Sequence, residues 1–183
     1  MNLDYKFLIG DMNFRLDYGN YETKDTLAKC TQLAASKRID EALELLEKLQ
    51  GYDQFNQSRN SNQLISEYKE GRIKFLPTYK YDANSNVYDT SKKQRTPSWT
   101  DRIMWSCSDL KIQQLFYSRR EYKESDHRPV VSYFIIEVKK IDKIKREKIM
   151  SQVYQVLSEI EEFSLIYIRE VELLLEEQLE KKK

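Results

Sequence analysis

Hydrophobic residues enter the chain as a short run, Phe7-Leu8-Ile9, which stops at Gly10 and turns through Asp11-Met12-Asn13. This is the pattern of a buried strand that delivers polar groups at its end. Between residues 23 and 50, Leu27, Leu33, Ile39, Leu43, Leu46 and Leu49 recur among Glu and Lys. That spacing predicts two amphipathic helices, with Gly51 as the stop. After a polar stretch from Asn56 to Asn62, Leu64, Ile65 and Tyr68 predict a short helix ending at Gly71, and Ile73-Lys74-Phe75 alternates as a strand does. Pro77 to Pro97 holds no period, so a long connection is expected there, and ordered loops of that length usually carry function. Strand-like runs return at Trp99 to Trp105, Leu110 to Tyr117 and Val130 to Val138, which makes the class mixed α/β.

From Lys139 to Lys183 there is neither Gly nor Pro, and the composition shifts to Lys, Glu and aliphatics, predicting one long helix. The chain is therefore divided into residues 1–138 and a charged helical tail, 139–183. Within the tail Ile149, Val153, Val156, Ile160, Phe163 and Tyr167 alternate spacings of four and three, a heptad seam that falters at Glu170 and partly recovers at Val171 and Leu174. Such a stripe needs a partner surface, either a second helix through self-association or the domain itself.

Composition narrows the function. The 31 Lys and Arg nearly cancel the 30 Asp and Glu, so no global field marks a nucleic-acid partner, and any phosphate chemistry must come from local clusters. Cys30 and Cys107 lack a neighbouring Cys or His, which argues against a zinc site or a disulfide framework and for a reducing compartment. No apolar run approaches the ~20 residues of a membrane span, and the first residues lack the basic and apolar regions of a signal peptide. A soluble, cytoplasmic chain is expected, with peripheral contact at membranes left open.

Several residue groups could carry chemistry. Asp11 and Asn13, one residue apart at a strand end, can serve as base and positioning amide, although such residues at turns also cap the backbone. His127 is the only histidine and sits in a polar turn, as a surface imidazole or as a group that stabilises phosphoryl charge when held by a carboxylate such as Asp101. The loop from Thr78 to Arg95 interleaves Tyr79, Lys80, Tyr81, Lys92, Lys93 and Arg95 with Asp82 and Asp89, a solvated loop or a set of phosphate clamps.

Read in order, these segments resemble the signature blocks of the inositol polyphosphate 5-phosphatases, in the endonuclease/exonuclease/phosphatase superfamily. Phe7-Leu8-Ile9-Gly10-Asp11-Met12-Asn13-Phe14-Arg15-Leu16 is similar to one block, and Glu70 to Asp82, with Phe75-Leu76-Pro77-Thr78-Tyr79-Lys80-Tyr81-Asp82, to the next. Tyr88 to Trp105, with Lys93-Gln94-Arg95-Thr96-Pro97-Ser98-Trp99-Thr100-Asp101-Arg102, and Ser125-Asp126-His127-Arg128-Pro129 complete the set. The resemblance implies a magnesium-dependent phosphatase that removes the 5-phosphate of phosphoinositides or inositol polyphosphates. It implies Asp11 as base for water, Asn13 as positioning residue, His127 as phosphate stabiliser, and Asp101 and Asp126 as carboxylates that orient His127 and complete a metal-facing shell, Asp126 being the candidate Mg2+ ligand. Tyr79, Lys80, Lys93 and Arg95 would hold the substrate's 4-phosphate.

The implied fold is the C-terminal half of a two-sheet, DNase I-like α/β sandwich. The family's metal-binding Glu and a His-containing block belong to the other half and have no equivalent here, so a fragment, a half supplied by another chain, or a tail covering the exposed sheet is expected. Such a chain could also bind phosphorylated inositol without turnover, or act through its helical tail as an assembly module. Met12, Phe14, Thr100 and Met104 are mild departures from the family's usual Leu, Tyr, Cys and Leu.

Overall fold

The structure, a computed structural model, describes residues 4–59, 61–108 and 111–180. Two compact units are present, Met1–Glu137 and Val138–Lys183. In the first, β1 (Tyr5–Asp11) is followed by helices α1 (Asn20–Ala35), α2 (Ile39–Gln50), α3 (Gln54–Arg59) and α4 (Gln63–Ser66). Strands β2 (Lys69–Glu70), β3 (Asp101–Cys107), β4 (Ile112–Arg119) and β5 (Val130–Ile136) complete it, and the second unit is α5 (Lys143–Glu180). The strands form a three-stranded antiparallel sheet in the order β1-β3-β2 and an antiparallel pair β4-β5. Leu110, expected to open β4, lies outside the described residues.

Helices α1 and α2 form where the apolar spacing places them. Leu27 and Cys30 of the first and Ala42, Leu46 and Leu49 of the second are buried with Leu16, Ile73, Phe75 and Trp99 in one core. At about 25 cal/mol for each Å2 of apolar surface removed from water, this cluster is the main drive that holds the helices on the strands. The two sheets meet through aromatic rings: the Phe134 ring of β5 packs T-shaped on Phe7 of β1 and on Trp105 of β3, at centroid distances of 5.3 and 5.1 Å.

Three expectations change. Ile73-Lys74-Phe75 is no strand, and the chain bends at Phe75. Its alternation is real, with Ile73 and Phe75 buried, yet its carbonyls bond to side chains rather than to a ladder: Gln50 Nε2 donates to Ile73 O at 3.0 Å and Trp99 Nε1 to Phe75 O at 2.9 Å. The polar stretch after Asn56 lies largely within helix α3, because Phe55 is buried and anchors that turn to the core. The helix expected to run to Gly71 is cut to one turn, since Lys69 and Glu70 pair with Trp105 and Met104 as β2. The tail helix spans Lys143–Glu180, and residues 181–183 lie outside the described ones.

A buried ion network ties β3 to α3 and β2. Arg102, 1% exposed, donates from Nε and Nη2 to both carboxylate oxygens of Glu70 at 2.8 and 2.7 Å and from Nη1 to Asp53 Oδ2 at 2.5 Å. Asn56 Oδ1 and the face of Phe55 take the rest of the guanidinium, and the Tyr117 hydroxyl donates to Glu70 at 3.0 Å. Burial lowers the Arg102 pKa, but its bonds and charge pairing with Glu70 and Asp53 prevail and hold it above the usual arginine range. Burial drives the Asp53 carboxyl up, and Arg102 only partly offsets this. Arg102→Leu leaves two buried carboxylates without a cation and is expected to cost about 3–5 kcal/mol. Urea unfolding of the variant measures this, and a loss below about 1 kcal/mol would show the network to be idle.

Candidate active site

Strand pairing assembles the site. The β1–β3 register sets Asp11 directly opposite Asp101, at the end of both strands. Gly10, at φ 147°, adopts a backbone conformation that a side chain would strain, and Asn13, at φ 56°, is in the left-handed region that Asn tolerates. The Asn13 N–H donates to Asp11 Oδ1 at 2.8 Å, and Met12 N–H to Thr100 O at 2.7 Å. The chain thus turns tightly and leaves the Asp11 and Asn13 side chains exposed.

Asp101 is the acceptor on which the site converges. Its Oδ2 receives the Thr78 hydroxyl at 2.6 Å and the Thr100 hydroxyl at 2.9 Å, and lies 3.0 Å from His127 Nδ1. An ionised carboxylate only accepts, so His127 carries its proton on Nδ1 and turns Nε2 away from Asp101. Burial raises the Asp101 pKa, but the bonds from His127 and Thr78 outweigh it and the carboxyl stays below its ordinary value. For His127 the bond to Asp101 comes first and raises the pKa; partial burial opposes it, and the charges of Asp101, Asp11 and Asp126 add to the rise. The imidazole is therefore held toward its cationic form.

The loop 77–97 is ordered by bonds on both flanks. Tyr79 exchanges backbone bonds with Ser98 at 3.2 and 2.7 Å, Tyr81 N–H donates to Asp126 O at 2.9 Å, and Arg128 N–H to Thr78 O at 2.8 Å. The turn that bears His127 is thereby fastened to the segment that bears Tyr79 and Lys80. The Tyr79 ring lies 4.5 Å from the His127 ring, and the Lys80 ammonium 3.3 Å from Asp126 Oδ2. That hydrogen bond raises the Lys80 pKa. Beneath them, Arg128 is fully buried with its guanidinium 3.9 Å over the Tyr81 ring.

Lys93 and Arg95 are exposed further along the loop. Buried Asp89 folds this stretch back: its N–H donates to Lys80 O at 2.9 Å, while its carboxylate receives the N–H groups of Arg95 and Ser91 at 2.8 and 3.0 Å. Burial raises the Asp89 pKa, but these donors prevail and hold it at about 2. Asp89 has a structural part that loop composition does not reveal.

The Asp126 carboxylate meets Lys80 rather than the His127 ring, which is Asp101's. Among the described residues, no group of three or more His, Cys, Asp or Glu could hold a metal ion. No helix among them is long and apolar enough to cross a membrane.

Sequence reasoning missed Arg15. Its guanidinium lies 4.1 Å over the Tyr79 ring, and its Nη1 is buried without a hydrogen-bond partner among the described residues. The signal was its place two residues after Asn13, within the block that resembles the family's, where no role was read for it. A cavity of about 710 Å3 is lined by Leu27, Leu76, Val87, Tyr88 and Arg119, and of the candidate residues only Tyr81 reaches it. The other candidate residues gather at the strand ends and the adjoining loop and turn.

Residues 2–133 match the model of Endonuclease/Exonuclease/phosphatase family 2. Synaptojanin-1 of Rattus norvegicus is 33% identical over 180 residues, covering 84% of this chain and 10% of the relative, so the chain spans about a tenth of that protein. The solved inositol polyphosphate 5-phosphatase domain of SPsynaptojanin, in complex with inositol (1,4)-bisphosphate and a calcium ion, is 30% identical with a TM-score of 0.63. That match covers 89% of this chain and 44% of that one. A mutant Cimex nitrophorin in its ferrous NO complex is 28% identical with a TM-score of 0.61, over 74% of this chain and 42% of that one. A shared fold does not by itself fix chemistry, so the ordered motif blocks and the site they build carry the assignment. With its family match over residues 2–133 and its likeness to the synaptojanin domain, the chain belongs to the endonuclease/exonuclease/phosphatase family, on its inositol polyphosphate 5-phosphatase branch.

Proposed function

We propose that these residues serve the hydrolysis of the 5-phosphate of a phosphoinositide or inositol polyphosphate. The observation that carries this reading is the Asp101-held His127, with Asp11 opposite Asp101 and Tyr79 and Lys80 alongside. Water attacks phosphorus and gives its proton to Asp11, the phosphorus–oxygen bond to the ring breaks, and the leaving inositol oxygen takes a proton from solvent to become a hydroxyl. Asn13 orients a phosphoryl oxygen, and the His127 imidazolium faces the charge that grows on the phosphoryl group. Tyr79, Lys80, Lys93 and Arg95 grip the neighbouring 4-phosphate, which fixes the reacting group in place. In this reading the protein works in the cytoplasm, at or near a membrane when the substrate is a lipid.

The reaction class calls for a divalent cation, magnesium in this reading, to neutralise phosphate charge. The described residues do not fit such an ion by themselves, because no group of three or more ligands is assembled and Asp126 is engaged by Lys80. That observation favours a second reading, in which the 183-residue chain alone binds phosphorylated inositol without turning it over.

Phosphate release from a 4,5-bisphosphorylated inositol, with magnesium, tests the first reading on the full-length gene product. Asp11→Asn is expected to lower kcat by about 100-fold or more, the range of general-base catalysis; equal activity removes Asp11 from that part. Calorimetry on the 183-residue chain decides the second: turnover at the full-length rate rules it out.

Charge at His127 gives a further check. A raised folded-state pKa means that the Asp101 pair stabilises the chain fully below the ordinary imidazole value of 6.5 and loses this contribution as pH rises through the folded value. Proton NMR of the single histidine is expected to give a midpoint above 6.5, and Asp101→Asn to bring it down. An unchanged midpoint in the variant would break the pairing. Lys80→Ala and Arg95→Ala are expected each to raise KM about tenfold, the loss of one charge-assisted bond, with kcat less affected. Michaelis kinetics on the same substrate separates the two.

A further inference from the structure

Helix α5 holds the apolar residues of its first half, Lys143 to Glu162, in water. Every residue from Lys143 to Glu162 is exposed, Ile149 by 48%, Val153 by 45%, Val156 by 54% and Ile160 by 57%. In heptad terms, Arg146, Val153, Ile160 and Tyr167 occupy a positions, and Ile149, Val156, Phe163 and Glu170 occupy d positions. The stripe is six apolar positions closed by a cation at one end and an anion at the other. It is also symmetric about Ser158. When a second copy runs antiparallel in that register, position 156 faces 160, 153 faces 163, 149 faces 167, and Arg146 faces Glu170 at both ends. In a parallel pair each position meets its own copy, so Arg146 faces Arg146 and Glu170 faces Glu170 inside the seam.

The charge along the helix points the same way. Residues 139–160 carry a surplus of three positive charges and residues 161–183 a surplus of three negative ones. The first turn of α5 has no acidic residue and the last turn no basic one. Asp142 caps the N-terminus, its Oδ1 accepting the Lys145 N–H at 3.1 Å, so the imbalance lies along the length of the helix rather than at its ends. An antiparallel neighbour sets an acidic half beside the basic half, and its own dipole runs the opposite way. The break of the seam at Glu170 then has a physical reason, because a charged residue at a seam position specifies orientation and register at some expense of stability.

We propose that α5 is an interaction surface for a second copy of this chain, paired antiparallel about Ser158 and keyed by Arg146 and Glu170. The proposal is independent of the phosphatase reading, since no residue of the candidate site takes part.

Sedimentation of the 183-residue chain is expected to give the mass of two chains, or an even number of them. Arg146→Glu sets Glu against Glu170, and Glu170→Arg sets Arg against Arg146, so each is expected to weaken association by about tenfold or more. The double variant Arg146→Glu/Glu170→Arg is expected to restore it to within about threefold, which also shows that neither substitution merely unfolds the helix. A monomeric parent chain overturns the proposal. So does a dimer whose single and double variants all associate equally well.

Discussion

Strand β3 serves two networks at once because successive side chains along a strand point to opposite faces. Asp101 turns toward the candidate site and Arg102 toward the interior, where Asp53, Glu70 and Asn56 take its guanidinium. Burial of such a group is unfavourable unless every donor is used, and here five contacts and an aromatic face use them. This fixes β3 against α3 and β2 from one side. The same rigidity then fixes Asp101 on the other, one residue away. Because Asp101 also pairs with Asp11 across β1, the position of the exposed carboxylate follows from the buried ion network rather than from the loop that bears it.

The site is built in layers of decreasing burial. Thr78 and Thr100 are buried and donate to Asp101; Asp101 is partly buried and holds His127; His127 and Tyr79 face outward together. Each layer removes freedom from the next, so the imidazole needs no reorganisation to present a cation. Asp89 does the same for the other end of the loop through the Arg95 backbone, leaving the side chains of Lys93 and Arg95 exposed. A loop of about twenty residues without regular structure would otherwise lose its order to chain entropy.

Much of the architecture is legible in the sequence where periodicity and burial agree. Helices α1 and α2 show their apolar spacing because Leu27, Leu46 and Leu49 face one core, and β1, β3 and β5 show theirs because sheet packing demands it. The sequence misleads at Ile73 to Phe75, where alternation reports burial and burial alone, since side chains of Gln50 and Trp99 satisfy the backbone. Helix α3 is hidden in polar residues because one aromatic, Phe55, suffices to anchor it. At the site, Asp11, Asn13 and His127 are visible as unusual residues at strand ends and turns. The partners that give them meaning, Thr78, Asp89 and Arg15, are not, because their contacts are made at a distance in sequence that no local pattern records.

Edges and faces left open follow one rule. Among the described residues β1 is the outer strand of its sheet, and Phe7 and Ile9 on it are 42% and 62% exposed. The open edge of a strand of seven residues is a place where another strand can add. The chain covers 44% of the synaptojanin domain it resembles, and in a two-sheet sandwich each sheet needs a second apolar surface to exclude water. Because Asp11 ends β1, whatever pairs with that edge also arrives beside the candidate site. The open edge and the candidate site thus share one strand.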